Sequence, residues 1–76
     1  MKFHVEFRAN QVLPVWYENE DMRVCVGEIS HDCNQREWRF HHGGVASNLK
    51  TDTLAKLRIW AAEQTTILNL TARLLK

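Results

Sequence analysis

The chain has 76 residues, 45% of them hydrophobic and 25% charged, and its ten Lys and Arg outnumber its nine Asp and Glu by one. A chain this short holds a single core that buries about 60–65% of the surface its unfolded form exposes, and its composition excludes a disordered segment or a flexible linker. The even charge argues against a dedicated nucleic-acid binder, whose affinity comes largely from neutralising phosphates. No apolar run approaches the ~20 residues of a membrane span.

The first residues, Met1-Lys2-Phe3-His4-Val5-Glu6, alternate polar and apolar. A secretory signal needs an unbroken apolar stretch instead, so the expected compartment is the cytoplasm, with Cys25 and Cys33 as reduced thiols. Residues 2–8 read as a strand with Phe3, Val5 and Phe7 facing inward. A turn at Ala9-Asn10 pairs Phe7 with Val12, Val5 with Pro14 and Phe3 with Trp16, all on the buried face. Pro14 lacks a ladder donor, which suggests an edge or irregular strand over 11–17. The opposite face of that strand carries Leu13, Val15 and Tyr17. This apolar row is either covered or free to bind a partner protein by strand addition, with the acidic loop Glu18 to Asp21 steering a basic partner.

Residues 22–29 form the third expected strand, with Met22, Val24 and Val26 on one face. Gly27 breaks the alternation, and a bulge there turns Ile29 inward. Residues 36–41 form the fourth, with Trp38 and Phe40 inward. The segment His42 to Asn48 reads as a connector. From Thr51 onward there is neither Gly nor Pro, and Thr51 or Asp52 caps a helix over about 52–75. Its core stripe is Leu57, Ala61, Gln64, Leu68, Thr71 and Leu75, with Leu54 and Trp60 alongside. Trp16, Trp38 and Trp60 are expected in the core, where large aromatics supply most buried area. The whole is an α+β domain: an antiparallel sheet of three or four strands packed on one long C-terminal helix.

That helix is too long for its sheet. Twenty-four helical residues span roughly 36 Å, whereas strands of five to seven residues cover about 17–24 Å. A second apolar set, Ile59, Ile67, Leu70 and Leu74, runs along another side, interrupted by Glu63. A helix apolar over most of its circumference is buried on more than one side. The missing cover points to a homodimer through Ile59, Ile67, Leu70 and Leu74, two-fold dimers being the commonest closed assembly. The alternative is a bend near Gln64-Thr65-Thr66 that folds the second half back over the sheet.

Several residues suggest chemistry. Cys25, His31, Cys33, His41 and His42 are zinc-ligand types, but no Cys-x-x-Cys pair is present, and a strand of roughly 20 Å separates His31 and Cys33 from His41 and His42. His31-Asp32-Cys33 places a thiol beside a base without a third orienting group. His42-Gly43-Gly44 lacks the further glycines or Lys-Ser/Thr of a phosphate loop. Asn69-Leu70-Thr71 matches a glycosylation sequon inside a helix and reads as chance. The expectation is a chain without catalytic residues, metal or cofactor: an interaction module that binds itself and another protein. The competing expectation is a sheet-based nucleic-acid binder using Lys2, Arg8, Arg23, Arg39 and His41, with His4 nearby and Tyr17 for stacking.

Overall fold

A computed structural model describes residues 2–8 and 11–74. The expected Ala9-Asn10 turn and Leu75 lie outside the described residues. The elements are β1 (Lys2–Val5), β2 (Val12–Glu18), β3 (Arg23–Asp32), β4 (Glu37–His42), a 3-10 turn (Gly44–Asn48) and α1 (Thr51–Leu74). The four strands form one antiparallel sheet in the order β1-β2-β3-β4, with α1 packed on one face. Among the described residues no helix is long and apolar enough to cross a membrane.

Side-chain chemistry closes the two tight hairpins. Asn19 Oδ1 accepts from the backbone N–H groups of Asp21 and Met22, each at 2.9 Å. Asp32 Oδ1 accepts from Asn34 N–H at 2.9 Å and Gln35 N–H at 3.2 Å, and Arg36 takes a left-handed φ of 57° before β4. Short polar side chains that bond their own backbone in this way are what turns select. The acidic stretch after β2 is thus a hairpin loop, and Met22 lies exposed in it rather than on the inward face of a strand.

The pairing of β1 with β2 differs from the expected register by one residue. Phe3 sits opposite Tyr17 and Val5 opposite Val15. A one-residue slip moves every side chain of a strand to the other face. Leu13, Val15 and Tyr17 are therefore core residues, 3%, 0% and 6% exposed, and are not a row open to a partner. Val12, Pro14 and Trp16 point away from the helix instead. Strand β1 stops at Val5, and Phe7 is 71% exposed rather than inward.

Pro14 also occupies an interior strand, not an edge. Its carbonyl accepts from Glu6 N–H at 2.8 Å, so its absent donor faces the β1 side, where β1 has just ended. The lost ladder bond falls where pairing stops in any case.

The expected bulge in β3 is present. Val15 pairs with Gly27 and Trp16 with Cys25, leaving Val26 as the extra residue. A bulge switches side-chain parity, so Val26 and Ile29 both reach the core and are fully buried. Gly27 serves a second purpose here. A Cβ at this position would collide with the carbonyl oxygen of His41 and come within 2.9 Å of His42 Cα and Phe40 Cε1.

The connector after β4 is better ordered than expected. Gly43 N–H donates to Val26 C=O at 2.8 Å, and the 3-10 turn that follows buries Ala46 in the core beside Leu57. Helix α1 runs unbroken from Thr51 to Leu74, so no fold-back occurs. The Thr65 and Thr66 hydroxyls donate to Ala62 C=O at 3.0 and 2.8 Å, which satisfies them without interrupting the helix. Thr53, Leu57 and Ala61 are buried against the sheet. Trp60, Leu68 and Ala72 are part-buried, whereas Thr71 lies outside the stripe and is exposed.

Candidate functional site

The helix crosses the sheet from one edge towards the other. Near its middle, Trp60 packs on Phe3 of β1 with ring centroids 5.7 Å apart. Near its end, Asn69 meets Trp38 of β4: Trp38 N–H donates to Asn69 Oδ1 at 2.7 Å, and Asn69 Nδ2 donates to Trp38 C=O at 3.3 Å. The described chain measures 41 × 22 × 19 Å, its long axis set by this rod.

The side of α1 turned away from the sheet carries the apolar residues singled out from the sequence. Ile59, Ile67, Leu70 and Leu74 are 64%, 57%, 51% and 85% exposed. They lie at helical spacing on one continuous face. Ile59, Ala62, Glu63, Thr66 and Ile67 line a shallow concavity of about 580 Å³ on that face. The small side chains Ala62 and Thr66 line it together with the two isoleucines. Below it towards the C-terminus, Leu70 and Leu74 project. Glu63 is exposed on this side and Arg73 on its flank, where Arg73 borders a small hollow with Gln35, Arg36 and Glu37; neither joins an ion pair among the described residues.

The outer face of the sheet is polar and mixed in sign. Lys2, Arg23, Arg39 and His41 share it, with Arg8 in the segment after β1. Each of the three arginines has a carboxylate partner: Arg8 with Glu6, Arg23 with Glu18 at 3.9 Å, and Arg39 with Glu37 at 2.7 Å. Tyr17, expected as a stacking platform, lies in the core on the other face. The aromatic on the outer face is Trp16, which the sequence pattern had assigned to the core. Arg23 covers it, with its Cζ 4.6 Å from the ring centroid. A platform already occupied by a guanidinium has lost much of its stacking surface.

The candidate metal ligands are dispersed. His31 faces the helix side and packs edge-on against Trp38 at 5.4 Å. Cys33 is exposed in the β3–β4 hairpin. Cys25, Glu28, His41 and His42 border a shallow hollow of about 280 Å³, and Cys25 Sγ–H donates to Gly27 C=O at 3.4 Å. Among the described residues no three His, Cys, Asp or Glu side chains stand close enough to hold an ion. A further hollow of about 410 Å³ lies beside the start of α1, bordered by Tyr17, Met22, Val45, Lys50 and Asp52. The Tyr17 hydroxyl there already accepts from Asn19 Nδ2 at 3.3 Å.

The carboxyl of Asp32 is held below the usual aspartate range, first by the Gln35 and then by the Asn34 backbone N–H bonds. This is hairpin chemistry on the surface, remote from the helix face. Comparison with known proteins found no matching family model, no matching curated protein and no matching solved structure.

Proposed function

We propose that this protein is a small interaction module that acts without catalysis and assembles as a homodimer through the outward face of α1. One observation carries the reading: Ile59, Ile67, Leu70 and Leu74 lie more than half exposed on a single unbroken helix. Large aliphatic side chains concentrated in one patch favour association, because covering them removes apolar surface from water at about 25 cal/mol per Å². A second copy offers the same stripe in a two-fold pair. The β2 row of Leu13, Val15 and Tyr17 is not available to another protein, because it is core. This reading sets the protein in the cytoplasm, whose reducing conditions suit exposed unpaired thiols.

Sedimentation equilibrium on the wild type and on Leu70→Glu tests it. The wild type is expected to be a dimer and the variant a folded monomer. A monomeric wild type at tens of micromolar removes the proposal. Nucleic-acid binding through the outer sheet face would instead appear as a gel shift with mixed DNA and RNA that weakens steeply with added salt.

A further inference from the structure

We infer that the two copies pair their α1 helices head to tail, with Glu63 of each opposite Arg73 of the other. This rests on the dimer reading above and specifies its geometry. In a parallel, in-register pair every residue of the stripe meets its own copy. Glu63 would then face Glu63 and Arg73 would face Arg73, two like-charge contacts inside an apolar seam. Neither side chain has an ion partner within its own chain among the described residues.

Reversing one helix about a two-fold axis midway between Thr66 and Leu70 removes both conflicts. Glu63 then lies level with the second copy's Arg73, and symmetry makes the contact twice. Shape agrees with charge in the same register. Leu70 falls opposite Thr66, so a large residue meets a small one near the axis. The concavity lined by Ile59, Ala62, Glu63, Thr66 and Ile67 receives the projecting Leu70 and Leu74 of the second copy. Knob-into-hole packing of this kind is how helices associate closely. The overlap covers residues 62–74, about 18 Å at 1.5 Å per residue. It uses the outward side of the last half of α1, whose inner side is held on the sheet by Leu68 and Asn69, and leaves the two sheets on opposite outer sides.

Cysteine pairing distinguishes the arrangements, because a disulfide requires Cβ atoms about 3.5–4.5 Å apart. The exposed Cys25 and Cys33 are first replaced by Ser. In that background Glu63→Cys and Arg73→Cys are made separately, then mixed under mild oxidation. A cross-linked dimer is expected from the mixture and none from either variant alone. Cross-linking of Glu63→Cys with itself overturns the head-to-tail pairing in favour of a parallel one. A wild type that sediments as a dimer while the mixture stays uncross-linked also overturns it, leaving self-association intact. A monomeric wild type overturns both. Independently, Glu63→Arg is expected to weaken dimerisation about tenfold or more, and the exchange Glu63→Arg with Arg73→Glu to restore it. A parallel pair would respond to neither change.

Discussion

The side-chain amide of Asn69 holds both main-chain polar groups of Trp38, accepting from its N–H and donating to its C=O. Strand β4 is the last of the sheet, so these groups face an open edge. The amide therefore stands in for part of a fifth strand, and it ties the far half of α1 to the sheet. It also explains why the sequon at Asn69 is poorly placed for a glycan: the nitrogen that would carry one is already engaged.

Asn69→Ala removes both bonds. Two neutral hydrogen bonds contribute about 2 kcal/mol together, so urea unfolding is expected to show a loss of that order. Hydrogen exchange at the Trp38 amide should accelerate in parallel, since opening the clamp exposes that N–H first. Unchanged protection of Trp38 would show that the helix end is held by other contacts.

Gly27 is fixed by the approach of β4, not by an unusual backbone angle. In Gly27→Ala the new methyl meets the His41 carbonyl oxygen and the Phe40 ring. Backbone atoms cannot move aside as a flexible side chain does. The expected cost is about 3 kcal/mol or more, read as a lower thermal midpoint. Gly44, which has open space around its would-be Cβ, serves as the control: Gly44→Ala should leave the midpoint nearly unchanged.

Asp32 gives a pH signature. Its folded pKa is depressed by the Gln35 and Asn34 amides. The stabilisation is therefore present above the unfolded aspartate value, near pH 4, and is lost as pH falls through the lower folded value. Asp32→Asn retains an acceptor oxygen but carries no charge. The stability difference between wild type and Asp32→Asn should be constant at neutral pH and shrink below about pH 4. Equal slopes for the two proteins through the acid range would show that the carboxylate does not couple to folding.

Much of the fold is legible along the chain. The alternation of Phe3 and Val5, the parity break at Gly27 and the Gly-free stretch after Thr51 each have one physical solution, because strand, bulge and helix periods differ. The exposed set Ile59, Ile67, Leu70 and Leu74 follows from the same periodicity once the helix is known to be unbroken. The facing of β2 was not legible. Val12, Pro14 and Trp16 compete with Leu13, Val15 and Tyr17 for the interior, and both sets are apolar. Local pattern cannot choose between two sets separated by one residue. Pairing with β1 on one side and bulged β3 on the other made the choice, because only one register puts Phe3, Val5, Val26 and Ile29 on the helix side together with the β2 row. Long-range contacts also decided the roles of Asn69 and Trp16, whose partners at Trp38 and Arg23 depend on where other elements are placed.

Water meets an apolar ridge along the free side of α1, and the partner proposed for it is a second copy laid in reverse. Solution behaviour as a single chain, at concentrations where such ridges ordinarily find one another, would remove its basis. What the residues alone determined was that the ridge exists; what folding decided was that nothing else in the described chain covers it, since the sheet packs wholly on the other side.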